Sequence, residues 1–445
     1  MRETIVGVAT PPGDGALGVL RLSGAGALSA AGGFISPGGL EPRRATKVLA
    51  NSAGESIDEC VAVYFPAAGS PTGEDLVEIC CHGSPYIVER LVSAALNCGA
   101  RQAMPGEFTE RAFLNGKMDL AQAEAVCDLI AARTQESHKA ALSQLAGGLS
   151  KEIARLREAI LELLVRIEAN LDHPEEDIPS MSAEEFAKSC ARCAEGISRL
   201  ASTHQRGRLV HGGAKIAIVG RPNAGKSSLL NALLGRDRAI VCPEPGTTRD
   251  TLEEPADLKG LRAVLIDTAG LRDDAHDAAE KIGIERAERA LEAADFALLV
   301  IDGSREVSDE DRRLHDRIVR RGRGLLSVLS KSDLGSRGGD FPQDSIRVSS
   351  ISGEGLELLT AKIKHALGAK EAREPILVTS VRHHQALLRA RSEIEEAANT
   401  AAESRWEDRA ASRLRQSLRA LDEITGPAAG DEVLAQIFSK FCVGK

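Results

Sequence analysis

Residues 220–228 read GRPNAGKSS, which puts two glycines, a lysine and two hydroxyls at the GxxxxGK[ST] spacing. The apolar run KIAIVG precedes them and the helix-forming LLNALLG follows, the context in which this motif wraps a phosphate. Gly220 and Gly225 let backbone N–H groups close around phosphate oxygens. Lys226 reaches the terminal phosphates, and the Ser227 hydroxyl suits Mg²⁺. GTTRD offers Thr248 as a second Mg²⁺ hydroxyl, and DTAG places Asp267 near the metal and the Gly270 N–H near a γ-phosphate. SKSD, residues 330–333, supplies the Asp333 carboxylate, which can accept from N1–H and the 2-amino group of guanine. SSISGEG can then bring a backbone N–H to guanine O6. Together these pieces select GTP over ATP.

The expected GTP contacts are Asn223, Ala224, Gly225, Lys226, Ser227, Ser228, Thr247, Thr248, Asp267, Thr268, Ala269, Gly270, Ser330, Lys331, Asp333, Ser349, Ser350 and Ile351. One departure is visible. Guanine-reading loops of this kind usually carry Asn where Ser330 stands. Serine makes fewer of the same bonds, which lowers the expected affinity and leaves base selection to Asp333.

These residues need elements to hold them. Residues 211–372 alternate apolar strands with helices (KIAIVG, RAVLIDTAG, FALLVIDG, GLLSVLSKSD, SIRVSS), the pattern of a doubly wound parallel sheet. Residues 1–117 are rich in Gly and Pro, with short β-like runs and helical patches such as SPYIVERLVSAALNCGA, and read as an α+β domain. Leu142, Leu145, Leu149, Ile153, Leu156, Ile160, Leu163, Ile167 and Leu171 recur at spacings of three and four, one apolar stripe on long helices. HPEED interrupts, and a second helical run starts near Ser182. Helix returns after Pro375 with Leu387, Ile394, Leu414, Leu418 and Leu421. The expectation is a multidomain α/β chain. Its helical domain is built from two flanks, 118–210 and 373–445, and a Ras-like P-loop domain is inserted between them. Two separate helical domains are the alternative.

Composition bounds the rest. A chain of 445 residues suits about three domains. No apolar run reaches the ~18 residues of a membrane span, and MRETIVGVATPP has no apolar core of a secretory signal. The nine cysteines read as reduced thiols of a cytoplasmic protein. Cys190 and Cys193 form one CxxC without the second pair that a zinc site needs. A net charge of −9 argues against non-specific nucleic-acid coating, and 3% aromatics leave few stacking platforms. The tail FCVGK raises its own question. Cys442 sits four places from the end. A prenylation box is the weakest reading, because Gly444 and Lys445 break its pattern. A buried apolar cysteine and a thiol brought to a site elsewhere both stand.

ATPPGDGALGVLRLSG, TGEDLVEICCHG, PGEFTERAFLNGKMDLAQAEA, GRPNAGKSSLLNALLGRDRAIV, GTTRD, DTAGLR, EKIGIERA and FCVGK resemble the MnmE (TrmE) family of tRNA modification GTPases, nearly end to end. The terminal motif is far more specific than the nucleotide motifs. The resemblance implies a homodimer that works with the flavoprotein MnmG. Together they would install an aminomethyl-type group, such as carboxymethylaminomethyl, on C5 of the wobble uridine of certain tRNAs. It implies a tetrahydrofolate derivative (5-formyl- or methylene-) bound by residues 1–117, with Arg21, Glu78, Lys117 and Lys445 as its contacts. It implies activation by K⁺, held by Asn223 and main-chain carbonyls of the loop VCPEPGTTRD, at Cys242, Glu244 and Thr247. Cys242, Glu244 and Pro245 depart from the family's pattern, and Pro245 stiffens that loop. Leu271 stands where Ras-like enzymes keep a water-positioning Gln, and the family's Glu falls on Glu280. Cys442 becomes a candidate participant in the modification chemistry. Two other readings compete: a regulatory GTPase in ribosome assembly, and a folate-dependent aminomethyltransferase with the GTPase as a control module.

Overall fold

The computed structural model describes residues 3–172, 181–236, 253–258, 261–267, 291–292, 294–322, 324–335, 341–342, 344–367, 376–402, 405–426 and 428–444. These fold as two compact units. One comprises 1–127, 144–194 and 389–445, and the other comprises 128–143 and 195–388.

The first unit carries a seven-stranded sheet in the order β3-β4-β5-β6-β2-β1-β7. Its strands are β1 (Ile5–Val8), β2 (Gly15–Ser23), β3 (Ile35–Ser36), β4 (Thr46–Ser52), β5 (Glu55–Phe65), β6 (Leu76–Gly83) and β7 (Arg101–Gln102). All neighbours are antiparallel except β1 and β7. Alternation sorts the faces. Val6, Leu20, Leu22, Val77, Ile79 and Ala62 are buried in one cluster with Ala27, Ala30 and Ala31 of α1 (Ala27–Gly32) and Leu91, Ala94 and Ala95 of α2 (Pro85–Asn97). Arg111 on α3 (Glu107–Leu114) is only 2% exposed. Its guanidinium donates to Glu74 and Glu107 at 2.8 Å each and to the Glu3 carbonyl at 2.9 Å, tying the helix, a loop and the segment before β1 together.

The long apolar stripe is split. The chain forms α4 (Leu120–Ala131), α5 (Gln135–Leu145) and then α6 (Gly148–Asp172). Gly147 between α5 and α6 sits at φ +80°, a conformation that ends a helix. Leu149, Ile153, Leu156, Ile160, Leu163 and Ile167 of α6 are buried, whereas Leu142 and Leu171 at the stripe's ends are 48% and 37% exposed. The second helical run forms α7 (Ala183–Ser202), and α8 (His204–Gly212) follows. Cys190 and Cys193 lie buried in α7, and burial pushes the Cys190 thiol up to about 12.

The second unit holds a six-stranded sheet in the order β13-β12-β11-β8-β10-β9. It is parallel from β13 to β10, and β9 is antiparallel. The strands are β8 (Ala214–Val219), β9 (Glu253–Leu258), β10 (Leu261–Asp267), β11 (Phe296–Asp302), β12 (Gly324–Ser330) and β13 (Ile346–Arg347). The central runs are apolar without alternation because both faces are covered. Phe296, Leu298 and Val300 pack with Leu229 and Leu233 of α9 (Lys226–Arg236). Ala297, Leu299 and Ile301 pack on the other side with Ile318 of α10 (Asp309–Arg320). Ser308 caps α10 in a capping box with Asp311. Helix α11 (Leu356–Ala366) closes the face that α9 covers. The expected fold class therefore holds, with an α+β N-terminal part and a parallel sheet wound on both faces. After it come α12 (Val381–Thr400), α13 (Glu407–Thr425) and α14 (Asp431–Phe438). Among the described residues no helix is long and apolar enough to cross a membrane.

Candidate functional site

Three loops meet at the carboxyl ends of β8, β11 and β12, where open α/β sheets bind ligands. The loop 220–225 joins β8 to α9. Gly220 is required there, because a Cβ on it would lie 2.3 Å from the Val300 carbonyl oxygen. Asn223 adopts the left-handed conformation at φ +61°. The Lys226 ammonium, on a residue 8% exposed, donates to the carbonyls of Gly220 and Arg221, both at 2.9 Å. Ser227 and Ser228 are exposed in the first turn of α9. The guanidinium of Arg221 holds the loop's outer edge to Glu310 at 2.7 Å and to the Ser308 hydroxyl at 3.0 Å.

The residues expected to read the base are clamped to this loop. Ser330, 2% exposed, donates its hydroxyl to the Ala224 carbonyl at 2.5 Å. The serine that stands for asparagine thus keeps a bond to the phosphate loop. Lys331, at φ +59°, donates to the Asn223 carbonyl at 2.9 Å and to Asp302 Oδ2 at 2.7 Å. Asp302 also accepts from the Ser304 N–H and hydroxyl at 3.0 and 2.6 Å. Burial alone would raise its carboxyl, but the bonds from Lys331 and Ser304 outweigh that and hold it below the ordinary carboxylate value. Asp333 is exposed, and its Oδ1 accepts from the Ser349 hydroxyl at 2.7 Å. That hydroxyl in turn accepts from the N–H groups of Ile351 and Ser352 at 3.3 and 3.1 Å.

The structure therefore brings Asn223, Ala224, Gly225, Lys226, Ser330, Lys331, Asp333, Ser349 and Ile351 into one set of loops. Within it Ser349 is fully buried and aims Asp333, while Ile351 is 88% exposed. Ser350 is half-buried beside them. Of Asp267 only the backbone is described, at the end of β10. Cys242, Glu244, Thr247, Thr248, Thr268, Ala269, Gly270 and Glu280 lie outside the described residues. The sequence reading missed Asp302 and Arg221. The available signal for Asp302 was an acid closing the apolar run FALLVID, at the carboxyl end of a parallel strand.

A second set of predicted residues lies in the first unit. Arg21 and Glu78 face each other across β2 and β6, with Arg21 Nε 2.8 Å from Glu78 Oε1. Gly7 is the cross-strand neighbour of Arg21 on β1. Residues directly opposite in an antiparallel pair share a face, so Gly7, Arg21 and Glu78 line one side of the sheet. Lys117 reaches another loop, donating to the Ala68 carbonyl at 3.1 Å. Cys442 is exposed, and its carbonyl accepts from the Gly106 N–H at 3.4 Å. Val443 forms an antiparallel bridge with Pro105, and Gly444 packs on Gly7. Lys445 lies outside the described residues.

A phosphate loop on a parallel sheet, with an aspartate poised at the base-reading end, defines the P-loop GTPase class. Comparison with known proteins narrows this. The profile of the MnmE helical domain matches residues 120–442, and that of the GTP-binding protein TrmE N-terminus matches residues 4–117. The tRNA modification GTPase MnmE of Aquifex aeolicus is 44% identical over all of this chain and all of its own length. That of Symbiobacterium thermophilum is 40% identical over all of this chain and 99% of its own, and that of Thermotoga maritima 39% over all of both. The chain belongs to the MnmE (TrmE) family of tRNA modification GTPases.

Proposed function

We propose that this chain hydrolyses GTP in the service of tRNA modification. With the flavoprotein MnmG it adds an aminomethyl-type group to C5 of the wobble uridine, drawing the carbon from a tetrahydrofolate derivative. The observation that carries the GTP part of the reading is the loop clamp, in which Ser330 and Lys331 hold the carbonyls of Ala224 and Asn223 while Ser349 aims Asp333, and family membership supports the tRNA part. Such a clamp ties base reading to the geometry of the phosphate loop, so a guanine nucleotide meets a preorganised site.

Each residue then has a task. Lys226, held against two loop carbonyls, places a cation at the β- and γ-phosphates. Asp333 accepts from the guanine edge. Ser227 and Thr248 would hold Mg²⁺, and Asn223 with the carbonyls of Cys242, Glu244 and Thr247 would hold K⁺; such cations, when bound, would supply positive charge against the transferring phosphoryl group. Glu280 orients the attacking water. The Arg21–Glu78 pair suits a pterin: the carboxylate can accept paired N–H donors, while Arg21, Lys117 and Lys445 suit the carboxylates of a folate. Cys442 lines the same site. In this reading 1–117 is the folate-binding and dimerisation domain, 118–210 and 373–445 form the helical domain, and 211–372 is the GTPase domain.

The test is wobble-uridine modification assayed with this chain, MnmG, GTP, a folate donor and tRNA. Omitting MnmG or GTP, or substituting Lys226→Ala, should abolish product. Product formed without GTP would refute the coupling. GTP turnover with no effect on any tRNA would favour a ribosome-assembly GTPase.

A further inference from the structure

Residues 442–444 are seated on the N-terminal part of the first unit. Phe438 and Phe441 are buried with Leu120 and Ala123 of α4. Beyond them the chain crosses Pro105 and Gly106 and reaches Gly444, at φ +97°. A Cβ on Gly7 would lie 2.9 Å from Gly444 Cα and 2.9 Å from Phe108 Cε2. A Cβ on Gly444 would lie 2.0 Å from the Val8 carbonyl oxygen. Neither position has room for a methyl group. Glycine inside a strand weakens it and marks a close backbone approach, and Gly7 lies within β1 where no turn calls for it. The approach is that of the tail, on the face that carries Arg21 and Glu78.

We infer that Gly7 and Gly444 are positioning residues for the modification reaction: their backbone contact seats the tail on β1 and so fixes where Cys442 stands relative to the Arg21–Glu78 face. The inference rests on the reading of Cys442 and that face as one site. Its own content is that the seat needs two glycines, one near each end of the chain.

The test uses the full chain in four variants. Gly7→Ala attacks the seat from the strand, and Gly444→Ala attacks it from the tail without touching Phe108. Gly430→Ala, which has no neighbour within 4 Å of an added Cβ, is the control. Cys442→Ser removes the thiol and leaves the seat. Brief carboxypeptidase digestion, read by intact mass, reports whether the tail is held; GTP turnover and wobble-uridine modification are measured on the same samples. Both seat variants should be trimmed at least about tenfold faster, as expected when a locally protected segment opens. They should also lose modification while GTP turnover stays within about twofold, since no residue of the nucleotide loops is touched. Gly430→Ala should match the parent chain. Unchanged trimming in both seat variants overturns the inference, and so does faster trimming with full modification. If Cys442→Ser modifies tRNA normally while the seat variants are trimmed and inactive, the seat stands and the assigned role of the thiol fails.

Discussion

Replacing Ser330 with Ala deletes one oxygen and should disable a loop that the residue does not belong to. The Ser330 hydroxyl lies 2.5 Å from the Ala224 carbonyl, on a residue 2% exposed. Water cannot easily replace a donor at that depth. Removing it leaves a buried acceptor short of a partner, which costs about 1–3 kcal/mol. The clamp orders the phosphate loop, so the loss acts through the fraction of chains whose loop is ordered, and apparent affinity falls by that fraction. At about 1.4 kcal/mol per factor of ten, the weakening is at most about 5- to 150-fold. Ser330→Thr keeps the hydroxyl and should retain most of the affinity. The assay is equilibrium binding of a fluorescent GDP analogue, with GTP turnover at saturating nucleotide measured beside it. The effect should fall on affinity more than on the saturated rate. A Ser330→Ala dissociation constant within about twofold of the parent value would refute the clamp.

Other expectations follow from the same geometry. Asp302→Asn removes the charge that faces Lys331, and with Lys331→Met it should be non-additive in a double-mutant cycle of nucleotide affinity, by about 0.5–3 kcal/mol. Glu280→Ala should leave affinity unchanged and slow turnover by about 10²–10⁴-fold, and a loss below about threefold would remove its assigned role. Turnover in K⁺ should exceed that in Na⁺ at equal ionic strength, and equal rates would remove the assigned role of Asn223. For Glu107, burial alone would raise the carboxyl, but bonds from Arg101, the Met104 N–H and Arg111 outweigh it and hold it at about 2, against an ordinary 4.5. A depressed carboxyl contributes stability that is fully present above pH 4.5 and is lost as pH falls toward about 2, on the order of 3 kcal/mol. Glu107→Gln should flatten the thermal stability profile in that window, and an unchanged acid limb would contradict the assignment.

Much of the fold was legible because local spacing encodes it. The apolar runs of β8, β11 and β12 announce strands covered on both faces, and the 3–4 spacing from Leu149 to Ile167 announces α6. The phosphate loop was legible for the same reason: its glycines, lysine and serine act within nine consecutive residues of backbone. The limit of α6 was less so. Leu142 and Leu171 satisfy the same spacing, yet they lie at the stripe's ends and are partly exposed, whereas its members from Leu149 to Ile167 are buried. Periodicity reports which residues share a helical face, not what covers that face.

What the sequence by itself determined is the chemistry available: a P-loop, an aspartate suited to a guanine edge, an arginine and a glutamate on two separate strand patterns, and a cysteine near the end. Only the tertiary structure decided the partners. Ser330 looked like a weakened asparagine until its hydroxyl was found on Ala224. Ser349 was legible only as a nucleotide contact, and the structure adds that it is buried and bonded to Asp333. Asp302 showed only as an acid closing an apolar run, and the structure pairs it with Lys331. Gly7 and Gly444 stand near opposite ends of the chain, and nothing in either neighbourhood names the other. The physical reason is common to all four. A loop's backbone conformation is set by a few adjacent residues, whereas a hydrogen bond or a glycine contact between distant segments exists only once sheet register and helix packing have placed them within about 3 Å.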